Sequence, residues 1–191
     1  MSGWNIDLPG TLYFDLAAIQ TDAAEADKFQ AFMNEMAAQK RLSLDTETTG
    51  LVSWKDVPLY WSTAWEGRRA TLNANTLAAC LHIFKDPNKD WIFANAKYDA
   101  HILGNVGITL AGRLIDTFVQ HALLYEDKPH GLKYVIKHLL GWTYGDFQDQ
   151  FGKIGKKNSA EDVIRRAERE NMNLLIEYAA NDAWATFKAE E

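Results

Sequence analysis

The chain has 191 residues, 47% of them hydrophobic, and a formal net charge of −6. That length suits one domain, and that apolar content can build a sizeable core, so a single unit over residues 1–191 is expected, with 1–40 leading into its core. The acidic balance argues against a broad phosphate-binding face, which is basic in nucleic-acid binders, although bound cations would reverse the potential locally.

The start "MSGWNIDLPG" has no basic patch followed by an apolar core, and no apolar run approaches about 18 residues. Neither a signal peptide nor a membrane span is expected, and the chain reads as soluble. "TLYFDL" reads as a strand, and Asp22 with Glu25 three positions on reads as a capping box opening a helix. Phe29, Phe32, Met33 and Met36 recur on that helix at the spacing of a core-facing stripe. "RLSLDTETTGL" then begins as a buried strand and ends on two carboxylates, Asp45 and Glu47, before a chain-reversing Thr-Thr-Gly.

"VPLYWSTAW" and "GRRATL" read as strands joined by a tight turn at Glu66 and Gly67, with Pro58 suited to a first strand position. "NANTLAACLHIF" reads as a helix. Its Cys80, alone in the chain, has no partner for a disulfide or thiol metal site, so a reducing, cytoplasmic setting is expected. "DWIFANA" is a short apolar run, "KYDAHILGNVG" a helix closed by Gly104 or Gly107, and "RLIDTFVQHALLY" a strand passing into a helix. "GLKYVIKHLLGW" is an amphipathic helix, and "TYGDFQDQFGKIGKKNS" a polar, mobile excursion. From Ser159, with Asp162 as a start signal, the pattern is helical to the end with one break. Strands alternating with helices predict an α/β sheet flanked by helices. The five histidines, His82, His101, His121, His130 and His138, show no HxH or HExxH spacing and are expected at surface or capping positions rather than on zinc.

Residues two apart on a strand share a face, so Asp45 and Glu47 project together. They should repel and raise at least one pKa unless a cation neutralises them, and hard oxygen ligands suit magnesium or manganese. Taken alone the pair reads more simply as a solvated strand end. Asp99 follows the run that ends at Asn95 and is either a helix cap or a site residue; in open α/β sheets, sites form at the carboxyl ends of strands. In "YAAND", Tyr178 and Asp182 share one helical face, about 6 Å apart along the axis. Leu174, Leu175, Ala179 and Ala185 surround them, where an unpartnered carboxylate would be costly.

Together "LSLDTETTGL", "FANAKYDAHIL" and "YAANDA" resemble the three exonuclease motifs of the DEDD superfamily, in order and at compatible separations. They are most similar to the 3′-to-5′ proofreading domain of family A DNA polymerases, as in bacterial DNA polymerase I and related phage or organellar enzymes. "LIDTFVQHALLY" and "GLKYVIKHLLG" look like the segments between the second and third motifs, so the resemblance runs from residue 41 to the C-terminus. The tyrosine subclass is implied: the histidine subclass places its histidine five residues before the last acid, and here that residue is Glu177.

The resemblance implies a ribonuclease H-like fold with a mixed sheet of about five strands. It also implies two-metal hydrolysis of phosphodiesters with release of nucleoside 5′-monophosphates. Asp45, Glu47 and Asp182 would hold one divalent ion, Mg²⁺ or Mn²⁺, with Asp45 and Asp99 serving a second. Tyr178, with an ordinary pKa near 10, would orient the attacking water rather than act as a base. The implied substrate is a single-stranded DNA 3′ end. Leu51 would wedge against terminal bases, and Phe147 would contact the same end or else pack on the core; stacking of this kind contributes about 1 to 3 kcal/mol per base. Thr46, Asn95, Lys97 and Tyr98 flank the acids and are candidate substrate contacts.

Arg68, Arg69, Lys153, Lys156, Lys157, Arg165 and Arg166 are candidate phosphate contacts or simply a solvated face. A polymerase domain in the same or a separate chain is an implied partner, because family A enzymes continue into one while this chain ends nine residues after Asp182. A monomer is expected, in host cytoplasm if phage-encoded. The competing readings are a ribonuclease D-like exoribonuclease and a non-catalytic nucleic-acid-binding module of the same fold.

Overall fold

A computed structural model describes residues 8–155 and 158–191. Six strands form one mixed sheet: β1 (Thr11–Phe14), β2 (Arg41–Thr48), β3 (Pro58–Trp65), β4 (Arg68–Asn73), β5 (Asp90–Phe93) and β6 (Arg113–Asp116). Their order is β1-β4-β3-β2-β5-β6. β3 runs antiparallel to β2 and β4, while β2–β5, β5–β6 and β1–β4 pair parallel. The parallel β2–β5 pair brings two carboxyl ends side by side. From one leave Asp45 and Glu47, and after the other comes the helix that carries Asp99.

Eight α-helices accompany the sheet among the described residues: α1 (Leu16–Thr21), α2 (Ala23–Ala38), α3 (Leu81–Phe84), α4 (Ala96–Asn105), α5 (Thr117–Leu124), α6 (Leu132–Leu140), α7 (Phe147–Phe151) and α8 (Ala160–Ala189). None is long and apolar enough to cross a membrane. Phe29, Phe32, Met33 and Met36 are the buried face of α2, as their spacing predicts. Asp22 caps that helix, but Glu25 pairs with Lys28 at 2.6 Å instead of closing the box. The first strand stops at Phe14, short of the predicted "TLYFDL", because the Asp15 carboxylate caps α1 through Ala17 N. "NANTLAACLHIF" divides into a 3₁₀ helix, Ala74–Cys80, and α3. Its buried residues Leu77, Cys80 and Ile83 recur every third position, which suits the tighter helix.

The core on one side of the sheet joins the α2 stripe to Leu42, Leu44, Trp61, Trp91 and Phe93. α8 lies against β2, β3 and β4. It opens with the predicted capping box of Ser159 and Asp162, and its one break falls at Asn171, where φ is −159° and ψ 71°. The Asn171 side chain accepts from Leu174 N at 3.1 Å, so it caps the second half of the helix, the half that carries Tyr178 and Asp182.

Candidate active site

Alternation along β2 decides which side chains meet α8. Ser43 faces it, its hydroxyl donating to Ala183 O at 2.7 Å, and Asp45 and Glu47 follow on the same face. One carboxylate oxygen each from Asp45, Glu47 and Asp182 lie within 4.8 Å of one another, a set able to hold a metal ion. Among the described residues no other group of three histidine, cysteine or acidic side chains closes to that separation. The donor set is all carboxylate, which fits hard divalent cations such as Mg²⁺ or Mn²⁺.

Thr46 points to the opposite side of β2, and its hydroxyl donates to Asp99 Oδ1 at 2.7 Å. Asp99 is buried there, outside the three-carboxylate group. Its helix is aimed by unusual backbone: Asn95 takes a left-handed conformation, φ 75°, which asparagine tolerates better than other non-glycine residues. The Asp116 carboxylate accepts from Asn95 N and Ala96 N at 3.2 and 2.8 Å and also caps α5, tying the starts of both helices together.

The electrostatics record the crowding. Burial first, then Asp99, Asp182 and Glu47, hold the Asp45 carboxyl well above the usual range. Burial and then Asp182 push Glu47 up to about 8, and burial pushes Asp99 up to about 7 against the opposing Thr46 hydrogen bond. A bound cation would neutralise carboxylates crowded in this way. Tyr178 is raised by burial and by Asp182 and Glu47, so its phenol stays protonated at neutral pH. Phe147 and Phe151 meet its ring edge-on at 5.5 and 5.6 Å between centroids.

A cleft opens over these groups, lined by Asp45, Glu47, Leu51, Tyr98, Phe147 and Tyr178 among others. Leu51 is exposed, on the loop after β2. That loop is fixed by the Asp56 carboxylate, which accepts from Val52 N at 2.7 Å and lies so close to Gly50 that a Cβ there would fall 2.3 Å from its Oδ2. The Tyr98 hydroxyl sits 2.7 Å from both Thr48 Oγ1 and Gly50 O. Thus the structure gathers Asp45, Glu47, Tyr178, Asp182, Leu51, Tyr98 and Phe147 at one cleft. Thr46 lines it but commits its hydroxyl to Asp99, while the exposed Asn95 and Lys97 lie outside the lining.

Several expectations are corrected. The segment after α6 is not merely a polar excursion: α7 docks Phe147 and Phe151 against Tyr178. Arg69 is not a free phosphate contact but buried, bonding Pro9 O, Asn181 and Glu177. Arg68 pairs with Glu35, Arg165 with Glu161 and Glu168, and Arg166 with Phe151 O. Lys153 is exposed, and Lys156 and Lys157 lie outside the described residues. His121 is buried rather than at the surface, with Nδ1 2.8 Å from His130 Nδ1 and Nε2 3.1 Å from His138 Nδ1.

Two residues at the acids went unnoticed in the sequence. Lys133 of α6 pairs with Asp182, and the Tyr144 hydroxyl donates to the same Asp182 oxygen. Lys133 carried a faint signal, standing at i, i+3 and i+7 with the apolar Ile136 and Leu140. Tyr144 carried none, lying in a segment without periodicity.

The fold and the acid cluster define the class, a ribonuclease H-like α/β domain with a candidate metal centre. Comparison with solved structures gives the same fold. Escherichia coli RNase D aligns at TM-score 0.61 and 17% identity, over 96% of this chain and 44% of that one. The Trypanosoma brucei RNase D complex with RNA U12 aligns at 0.68 and 15%, over 94% and 61%. The Aedes aegypti Nibbler EXO domain aligns at 0.62 and 12%, over 97% and 87%. The chain thus spans about half the length of E. coli RNase D. No curated protein matches the sequence. Residues 21–190 match the family model described as 3′-5′ exonuclease, and the chain belongs to that family.

Proposed function

We propose that the chain is a metal-dependent exonuclease that shortens single-stranded or frayed DNA from the 3′ end, as the proofreading part of a DNA polymerase, releasing nucleoside 5′-monophosphates. The carrying observation is the convergence of Asp45, Glu47 and Asp182 within 4.8 Å at the floor of an open cleft. When bound, divalent cations supply an acidified water and neutralise charge on the phosphate and the departing oxygen. Asp45, Glu47 and Asp182 would hold one such ion. Asp99 would serve a second, together with Asp45, whose charge it already influences.

Tyr178 keeps its proton and offers a hydroxyl to orient the attacking water. Its ring is braced by Phe147 and Phe151, so the hydroxyl is held in place before substrate arrives. Leu51 stands exposed at the cleft's rim, where an apolar side chain can wedge against the last bases, and Phe147 and Tyr98 supply aromatic surface below it. The half-buried acids lie in a cleft whose rim carries an apolar side chain, an arrangement that favours a single, unpaired strand.

A second reading, an exoribonuclease, draws on RNase D as a structural neighbour, once with RNA bound. Matched DNA and RNA oligonucleotides with labelled 5′ ends, with and without Mg²⁺ or Mn²⁺, separate the two. The DNA ladder should shorten from its 3′ end faster than the RNA ladder, and only with metal. Faster loss of RNA would transfer the assignment, and no shortening of either would remove the enzyme reading.

A further inference from the structure

Lys133 reaches the acid cluster from α6, an element that contributes none of the carboxylates. Its ammonium pairs with Asp182 Oδ1 and stands 3.3 Å above the centre of the Tyr144 ring and 4.7 Å from that of Tyr178. Tyr144 donates its hydroxyl to the same Asp182 oxygen. The lysine side chain is three-quarters covered, 25% exposed. Its positive charge opposes the upward displacement of both Asp45 and Glu47. One monovalent cation therefore faces three carboxylates that can ligate an ion.

We infer that Lys133 is the resident counter-ion of the acid cluster, a positioning residue that keeps the carboxylates together without metal and is displaced from Asp182 when a divalent ion enters. The inference rests on the cluster being a metal site. Carboxylates that must cohere before metal arrives need compensation, since clustered charge without it is strongly unfavourable. A lysine suits the task better than an arginine: its charge is compact, on a flexible stem, and makes no bidentate fork with a carboxylate that would be slow to part. The faces of Tyr144 and Tyr178 give the displaced ammonium a second resting place, because a cation over an aromatic ring keeps part of its stabilisation. The lysine thereby lowers the apparent metal affinity, since part of each binding event goes into breaking its ion pair.

The test needs no nucleic acid. Mn²⁺ is titrated into the whole chain and into Lys133→Met and Lys133→Arg, followed by calorimetry and by thermal unfolding with and without the ion. Lys133→Met should bind Mn²⁺ about fivefold more tightly than the parent, the order expected when a partly buried ion pair no longer has to be broken. Its melting temperature should fall in chelator and recover at saturating Mn²⁺, while Lys133→Arg keeps the parent's melting temperature in chelator but binds Mn²⁺ more weakly than the parent.

Equal or weaker Mn²⁺ binding by Lys133→Met overturns the inference, and so does an equal loss of melting temperature with and without the ion, which marks a merely structural lysine. If Lys133→Met fails to fold in chelator, folding restored by Mn²⁺ supports the inference and failure at saturating Mn²⁺ overturns it. Absence of Mn²⁺ binding by the parent chain is a separate outcome that removes the metal-dependent reading itself, and the inference with it.

Discussion

The Thr46 hydroxyl donates to Asp99 at 2.7 Å, joining the residue between the two β2 acids to the acid of α4. One strand thus presents Asp45 and Glu47 on one face and, from the other, aligns a fourth carboxylate. Groups that orient metal-site acids without touching the metal commonly matter 10- to 100-fold. Thr46→Val keeps the shape and removes the donor. Cleavage by the variant should fall about tenfold with little change in melting temperature, as initial rates on a labelled oligonucleotide would record; an undiminished rate would show Asp99 to be placed by backbone alone.

In chelator the crowded acids make stability depend on pH with a definite sign. Glu47 is pushed up to about 8 by burial and Asp182, and Asp99 to about 7 by burial. Both lie above their unfolded values, so between about pH 4 and 8 the folded chain holds more protons than the unfolded one, and stability falls as pH rises through that window. The metal-free melting temperature should therefore be lower at pH 9 than at pH 5. Saturating Mn²⁺, which needs deprotonated ligands, should reverse the slope. A flat or rising profile in chelator would contradict the burial of these carboxylates.

Arg69 gives a prediction of the opposite kind, stability without catalysis. Its guanidinium is buried between β4 and α8, bonded to Pro9 O, Asn181 and Glu177. Arg69→Met leaves Pro9 O and the buried Asn181 without their donor and should cost roughly 2 kcal/mol in denaturant unfolding. The KM for an oligonucleotide should stay unchanged. A raised KM at unchanged stability would return Arg69 to the phosphate contacts.

Strand period explains part of what the sequence showed and part of what it concealed. Asp45 and Glu47 are legible as a pair because period two puts them on one face, and Tyr178 and Asp182 because i, i+4 does the same on a helix. The same rule applied to "GRRATL" separates Arg68, exposed against Glu35, from Arg69, buried under α8, yet two adjacent basic residues read most simply as one solvated patch. The bond from Thr46 to Asp99 and the reach of Lys133 to Asp182 join residues about 50 positions apart. No local period encodes such contacts, which exist only once β2, β5 and α8 have packed. His121, His130 and His138 meet through the turn between α5 and α6, at spacings that carry no motif.

Tyr178→Phe isolates the hydroxyl. The ring, packed edge-on against Phe147 and Phe151, is retained, so folding and Mn²⁺ affinity should stay near those of the parent. Single-turnover cleavage should slow about 10- to 100-fold, the usual range when an orienting hydrogen bond at a metal site is lost. Because burial and Asp182 keep the phenol protonated, the parent's rate should show no titration assignable to Tyr178 below pH 9. Unchanged single-turnover rates would deny the hydroxyl a part in the chemistry.

Asp45 is where removing charge should separate stability from activity most sharply. It is crowded by Asp99, Asp182 and Glu47 together. Asp45→Asn keeps its volume and deletes one of the three ligating carboxylates. In chelator the variant should melt at or above the parent's temperature, because repulsion is relieved and Lys133 has fewer acids to compensate. With Mn²⁺ it should show little of the parent's thermal gain, and cleavage should be abolished. Paired melting curves with and without Mn²⁺, alongside an oligonucleotide assay, test all three expectations. A variant that melts well below the parent in chelator would show that Asp45 holds the fold together, and one that still cleaves would move the catalytic metal away from β2.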